Sequence, residues 1–222
     1  MTKYIIFDAG PLISFTMNGL LPVLEKLKNI FQGEFIITPD VKREVIDKPL
    51  RIKKYELEAL NIQDLLNRGI IKLSSSIISN NLLEQETFKI MDLANSSFKA
   101  DRDITLIQIG EASCLAFANL CQSENVIAID ERTTRLLIEN PENLRKIMEN
   151  KLHTKIKINE NSLRKLKKYK FIRSTELAYI AFKKNLFDLK EDKILLDAVL
   201  YGLKFKGTAI SSDEIDSIKN LI

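Results

Sequence analysis

The sequence predicts an α/β protein, a three-layer α/β/α sandwich with a central parallel sheet. Short apolar runs rich in β-branched and aromatic residues alternate with helical patterns along the chain. This alternation favours a parallel sheet that is covered by helices on both faces. The chain has 222 residues, of which 45% are hydrophobic, so we expect one domain spanning residues 1–222 with a full core.

Five strands and about ten helices are predicted in chain order. The strands cover residues 4–7, 35–38, 70–73, 126–129 and 171–172. Helices are predicted over 12–18, 21–28, 41–46, 55–68, 81–94, 106–121, 132–169 with a break at Pro141, 176–184, 192–205 and from Ser211 onward. Pro11 suits the opening of the first helix, Ser174 and Thr175 can cap the helix from Glu176, and Ser211 with Glu214 has capping-box spacing.

Composition narrows the classes of protein. No apolar run approaches the roughly 18 residues of a membrane span, and the N-terminus lacks the features of a signal peptide, so we expect a cytoplasmic protein without a membrane partner. Cys114 and Cys121 are too far apart along one predicted helix for a disulfide, and we interpret them as core residues. His153 lies in a polar stretch without a Cys or His partner, which disfavours histidine-based catalysis.

The charge is unevenly distributed. Residues 1–131 have a net charge of −4, residues 132–173 of +9 and residues 174–222 of −1. An acidic portion beside a basic segment suits an enzyme that uses a metal and a polyanionic substrate. A lysine-rich solvated surface is the alternative interpretation.

Acidic residues follow the predicted strands. Ligands of parallel sheets bind beyond the carboxyl ends of the strands, where Asp8 follows the first strand and Asp130, with Glu131 beside it, follows the fourth. Glu44 lies in the helix after the second strand, and Glu111 lies in a largely apolar helix, where an unpaired acid is costly.

Clustered carboxylates without His or Cys would select Mg²⁺ or Mn²⁺, and an ion-activated water can attack a phosphodiester. The alternative for each acid is structural, since an Asp after a strand is often a helix cap. A phosphatase with Asp8 as phosphoryl acceptor is disfavoured because Gly10 stands where the haloacid-dehalogenase-like phosphatases have a second Asp.

Four stretches together resemble the PIN-domain nucleases in order, spacing and context. They are IIFDAGPLI at 5–13, TPDVKREV at 38–45, GEA at 110–112 and IDERTTR at 129–135. The resemblance runs from residue 3 to about 135 and resumes near 174–177.

The resemblance implies a role for each matching residue. Asp8, Glu44, Glu111 and Asp130 would be catalytic metal-site acids, Glu131 would be an auxiliary acid, and Arg135 matches a basic, substrate-binding position. Two features depart from the family. Gly10 replaces the Ser or Thr that many members carry two residues after the first Asp, and residues 136–170 exceed the usual length and are interpreted as a basic helical insertion.

The end of this insertion interleaves cations with Tyr169 and Phe171. Lys165, Lys167 and Lys168 are candidate phosphate contacts, whereas a solvated helix face is the alternative. Phe171 fits a strand core better than a stacking surface.

The resulting hypothesis is an Mg²⁺- or Mn²⁺-dependent endoribonuclease that acts on RNA. The alternative is a catalytically inactive PIN-like module that binds RNA or protein. Similarity to toxin halves of toxin–antitoxin pairs suggests an antitoxin protein as a further partner, and a homodimer is also compatible with the sequence.

Overall fold

Five parallel strands form the central sheet. The computed structural model describes residues 2–101, 103–166, 169–190 and 192–220. The sheet strands are β1 (Lys3–Phe7), β2 (Gly33–Ile37), β3 (Ile71–Leu73), β5 (Asn125–Ala128) and β7 (Phe171–Ile172). Their order across the sheet is β3-β2-β1-β5-β7. A separate antiparallel pair consists of β4 (Phe98–Lys99) and β6 (Lys157–Ile158). The predicted α/β class and parallel sheet are therefore confirmed.

Twelve α-helices connect or flank these strands in the described part of the chain. They are α1 (Ala9–Met17), α2 (Leu21–Ile30), α3 (Pro39–Lys42), α4 (Glu56–Asn67), α5 (Asn80–Asn95), α6 (Ile109–Leu120), α7 (Arg132–Glu139), α8 (Pro141–Leu152), α9 (Glu160–Leu163), α10 (Ser174–Lys183), α11 (Lys193–Phe205) and α12 (Ser212–Lys219). A π-helical turn, Arg43–Asp47, continues α3, and short 3₁₀ turns cover Pro49–Arg51 and Ser74–Ser76.

Helices cover both faces of the sheet. Consecutive strand residues point to opposite faces, so an apolar strand places side chains against both helical layers. Tyr4 packs edge-on against Phe117 of α6, with ring centroids 5.9 Å apart. Phe7, on the other face of the same strand, meets Phe35 of β2 at 5.0 Å. The ends of β1 and β2 are buried on both faces, and this explains their uninterrupted apolar sequence.

The C-terminal helices form a smaller hydrophobic cluster. Leu196 and Leu200 of α11 pack there with Ile215 of α12, next to the main core. Phe187 contacts both clusters and joins them.

The basic segment after β5 differs from the prediction of a long helix. Its helices end at Leu152 and Leu163, and β6 lies between them, where Lys157 and Ile158 pair with Lys99 and Phe98. Leu144 and Ile156 are buried in the main core, so the segment is packed into the fold. The helix predicted over residues 132–169, with its break at Pro141, is therefore confirmed over 132–139, 141–152 and 160–163, and it is wrong for β6 and its flanks.

Two helix starts also differ from the prediction. The Asn95 side chain accepts hydrogen bonds from the backbone N–H groups of Leu106 and Ile107, which keeps these residues outside α6. Ser174 is the first residue of α10 rather than its cap, because its N–H donates to Asp130 Oδ1 over 2.8 Å.

Several predictions about single residues are confirmed. Cys114 and Cys121 are free, and Cys114 is buried. His153 is exposed and ends α8 in a left-handed conformation, with φ 50°.

Among the helices that the structure describes, none has both the length and the apolar character needed to cross a bilayer.

Candidate metal centre

An acidic cleft of about 290 Å³ opens at the carboxyl edge of the sheet. Asp8 follows β1 and Asp130 lies two residues beyond β5, and these two strands pair in parallel. The cleft brings together all five predicted acids, which are Asp8, Glu44, Glu111, Asp130 and Glu131. The five acids therefore share one cleft, although their side chains differ in burial and in bonding.

Asp8 is one of the two buried acids of the cleft, together with Asp130. Its backbone N–H donates to the Ala128 carbonyl, which fixes the residue at the junction of β1 and α1. Burial raises the pKa of its carboxyl to about 7, and the charges of Glu111 and Glu44 add to the increase. The N–H groups of Ala9 and Gly10, at the start of α1, offset part of this effect.

Asp130 is held by donors from three separate parts of the chain. Oδ1 accepts from the Ser174 backbone N–H at 2.8 Å, and Oδ2 accepts from the hydroxyls of Ser14 and Thr208 at 3.1 and 3.0 Å. Burial raises the pKa of Asp130, and these hydrogen bonds oppose the shift. The network fixes the carboxylate in one orientation.

Glu44 reaches the cleft from the π-helical turn after α3. The turn is closed by the Lys48 N–H, which donates to the carbonyl of Arg43, and such turns often mark functional sites. Gly110 leaves room for the Glu44 carboxylate. A Cβ at Gly110 would lie 2.9 Å from Glu44 Oε2 and 3.8 Å from Asp8 Oδ1, so both oxygens face one point beside Gly110. Burial raises the pKa of Glu44, while nearby Lys48 lowers it.

Glu111 and Glu131 each stabilise the start of a helix. Glu111 Oε2 accepts from the Gln108 backbone N–H at 2.6 Å at the start of α6, and Glu131 Oε2 accepts from the Thr134 N–H at 2.9 Å at the start of α7. Burial raises the pKa of Glu111 to about 7, with contributions from the charges of Glu131 and Glu44. Both acids line the cleft as well, so the structural and functional interpretations apply to the same side chains.

The five acids form no ion pair in the described part of the chain, although Lys48 lies close enough to Glu44 to lower its pKa. Within the described residues, no Lys, Arg or His forms a salt bridge with any of the five, although sixteen such contacts occur elsewhere. Clustered carboxylates without a counter-charge either take up protons or bind a cation. The raised pKa values of Asp8 and Glu111 mean that these carboxyls bind protons more readily than usual when no cation is bound.

Two of the predicted substrate-binding cations, Arg135 and Lys165, lie outside the cleft lining. Arg135 is half-buried and donates through Nη2 to the Ala209 carbonyl at 3.4 Å, behind the loop that carries Thr208. Lys165 is exposed just after α9. Lys167 and Lys168 lie outside the described residues. The structure therefore places Arg135 as a support of the 208–210 loop.

Sequence reasoning missed the neutral residues that position the acids. Ser14 and Thr208 bind Asp130, and Thr38 and Ser113 share a hydrogen bond of 2.6 Å while Ser113 also donates to the Gly110 carbonyl. Ser14 and Ser113 each stand among apolar neighbours of a predicted helix, and this was the available signal.

Known protein families, curated proteins and solved structures contain no significant match to this chain.

The donor chemistry of the cleft fits a hard divalent ion. The five acidic side chains of the cleft offer carboxylate oxygens, which Mg²⁺ and Mn²⁺ prefer as ligands. In the described residues, no three Asp, Glu, His or Cys side chains are already arranged to hold an ion together. Glu44 and Glu111 would have to turn toward Asp8, and the flexible side chain of Glu44 already faces the Asp8 side of Gly110. The cleft therefore fits such an ion in donor type, with rearrangement of the two glutamates.

Proposed function

We propose that the chain is an Mg²⁺- or Mn²⁺-dependent endoribonuclease of the PIN-domain type. The observation that carries the proposal is the convergence of Asp8, Glu44, Glu111, Asp130 and Glu131 on one cleft, where none of them forms a salt bridge among the described residues. The resemblance of the four stretches to the PIN-domain nucleases, in order, spacing and context, implies the same residues. A bound Mg²⁺ or Mn²⁺ would supply positive charge for the phosphate and an acidified water for its hydrolysis.

The acids would have different roles because the fold holds them with different rigidity. Asp130 is fixed by three donors and serves as the rigid ligand, while Asp8 presents its carboxylate from the start of α1. Glu44 lies on a turn and completes the site on the Gly110 side. Glu111 would turn from the start of α6 toward the ion, whereas Glu131 would stay at the start of α7 and add negative charge that favours the ion.

The distribution of charge supports RNA as the substrate. The segment of residues 132–173 carries a net charge of +9 and leaves the sheet directly after Asp130 and Glu131. A basic surface next to an acidic metal site attracts a polyanion without neutralising the acids themselves.

An inactive RNA-binding module is the second candidate. It is favoured by the hydrogen bonds that Glu111 and Glu131 make to their own helix starts, because these bonds explain both acids without a metal.

Cleavage and thermal unfolding, measured together in a Mn²⁺ titration, separate the two candidates. For the nuclease, a labelled single-stranded RNA is cut only with Mn²⁺ or Mg²⁺, and the melting temperature rises with metal. Asp8→Asn should abolish both effects, while its melting temperature in chelator stays equal or higher because one repelling charge is gone. Asp103→Asn, at an exposed site outside the cleft, should behave as the wild type.

Two results contradict the proposal. Intact RNA at every metal concentration, with RNA still bound, indicates the inactive module. Full cleavage by Asp8→Asn would show that this carboxylate is not a ligand.

A further inference from the structure

A second groove, largely apolar, adjoins the acidic cleft between α1 and α4. It has a volume of about 500 Å³. Ile13 and Glu44 line both spaces, so the groove continues directly from the cleft. Three of its apolar side chains are unusually open: Met17 is 40% exposed, Ile52 47% and Tyr55 40%. Exposed apolar groups gathered beside a reactive site indicate a surface that binds something.

The polar residues of the groove restrict what that ligand can be. Lys48 and Lys54 line the groove, and the Lys54 ammonium lies over the Tyr55 ring, 5.0 Å from its centre. Lys54 covers one face of the ring, so a flat heterocycle would stack on the other face while the cations meet a phosphate attached to it.

Glu58 adds a second requirement. Its side chain lines the groove, and no donor in the part of the chain that the structure describes reaches its buried Oε2. A carboxylate only accepts hydrogen bonds, so a ligand with N–H or O–H groups would satisfy this oxygen once the Glu58 side chain turns into the groove. The apolar face of a partner helix would cover the groove and offer the oxygen no donor. A nucleobase supplies both a flat face and N–H donors.

We propose that this groove receives one unpaired nucleobase of the RNA next to the cleaved phosphate, with Tyr55 as the stacking surface and Glu58 as the acceptor for the base's N–H groups. Guanine fits best, because its Watson–Crick edge presents two neighbouring N–H donors to the two carboxylate oxygens. The inference rests on the proposed nuclease function, whose cleavage step it would position.

Binding to two matched RNAs tests the groove. The probes are a short single-stranded oligouridine with one guanine and the same strand with an abasic ribose at that position. Both are measured with Mn²⁺ in the Asp8→Asn background, in which the RNA should stay intact. Tyr55→Leu should weaken binding of the guanine strand by roughly tenfold and leave the abasic strand unchanged. Glu58→Gln should remove the preference for guanine over adenine at the same position.

Two further variants serve as controls. Tyr55→Phe keeps the ring and should bind as the parent does, which separates stacking from damage to the fold. Phe205→Leu alters an aromatic residue that is 78% exposed beside Lys204 and Lys206 but lies outside the groove, and it should leave both affinities unchanged.

Three results would overturn the groove assignment. The first is an unchanged affinity in Tyr55→Leu, and the second is an equal loss in Phe205→Leu. The third is a fall in molecular mass in solution on Ile52→Asp with RNA affinity retained, which would make the groove an interface between two copies. RNA cleavage by the wild type is measured separately. A nuclease whose groove binds no nucleobase is therefore distinguishable from a chain that has no nuclease activity.

Discussion

The Ser14 hydroxyl donates a hydrogen bond to Oδ2 of Asp130 over 3.1 Å, although 116 positions separate the two residues. Ser14 lies in α1, which begins directly after Asp8, so this bond ties the first strand–helix junction to the junction after β5. The two acids that follow neighbouring strands are thereby held in one arrangement.

Ser14→Ala should therefore weaken both the fold and the site. Asp130 keeps its bonds to Ser174 and Thr208 but loses one donor to a buried carboxyl, which costs about 1–3 kcal/mol of unfolding free energy. Its pKa should rise further, because the lost hydroxyl helped to lower it. Chemical denaturation and Mn²⁺ titration measure the two effects. Ser217→Ala, at an exposed serine of α12, is the matched control, and a Ser14 variant indistinguishable from it would contradict the role.

Gly110→Ala should damage metal binding while sparing the fold. The added Cβ would lie 2.9 Å from Glu44 Oε2, and this oxygen is the end of a flexible side chain that can turn away. The free energy of unfolding in chelator should stay unchanged or rise by up to about 1 kcal/mol, since Ala suits a helix better than Gly. Displacing Glu44 should lower Mn²⁺ affinity by about tenfold or more. Calorimetric titration with Mn²⁺ measures this affinity. An unchanged Mn²⁺ affinity would show that Glu44 is not a metal ligand.

Local patterns were sufficient to predict the strands and the ends that carry acids. The consecutive apolar residues of 4–7 and 126–129 indicated buried parallel strands, and the position of Asp8 and Asp130 in one cleft followed from that topology. The pairing of β4 with β6 was not predictable, because two residues fix no register and the paired residues lie 58 and 60 positions apart along the chain. The apolar neighbours of Ser14 indicate a buried hydroxyl, but they do not indicate the distant carboxylate that it binds.

Glu111→Gln distinguishes a metal ligand from a helix cap. A glutamine side-chain oxygen can still accept from the Gln108 N–H, so the helix start is retained. In chelator the variant should be at least as stable as the wild type, because a buried, repelled charge has been removed. Glu111→Ala loses the cap as well and should cost about 1 kcal/mol.

The comparison is made by thermal unfolding with and without Mn²⁺. Both Glu111 variants should lose much of the stabilisation by metal. A Gln variant with the full Mn²⁺ effect would show that Glu111 only caps α6.

Replacing Lys165, Lys167 and Lys168 by Gln tests whether the basic segment meets RNA. Each lost phosphate contact should reduce the log–log salt slope by roughly 0.7, so three contacts flatten it by up to about two. The control triple, Lys183, Lys184 and Lys190 to Gln, removes the same charge from exposed positions elsewhere. Mn²⁺ affinity should hold in both triples. Equal slopes for the two triples would mean that only net charge matters, and an unchanged slope with an altered mass in solution would favour a protein partner for the segment.

The stability of the metal-free protein should fall as pH rises from about 4 to about 7. Asp8 and Glu111 have ordinary pKa values of 3.8 and 4.5, and both are raised to about 7 in the folded chain. Between these limits the folded state binds more protons than the unfolded state, so each increase in pH favours unfolding. The total loss should be on the order of a few kcal/mol, and it should be complete once both carboxyls are charged above pH 7.

Mn²⁺ should reverse this trend, because the ion replaces the protons as the partner of the acids. The increase in melting temperature caused by Mn²⁺ should grow as pH rises through 7, whereas the metal-free melting temperature falls. Denaturation curves at pH 5, 6, 7 and 8, in chelator and in Mn²⁺, measure both slopes. Asp8→Asn removes one titrating group and should make the metal-free decline shallower. A metal-free protein whose stability is level or increasing between pH 5 and 7 would show that the acids are already charged in the fold, and that another cation satisfies them.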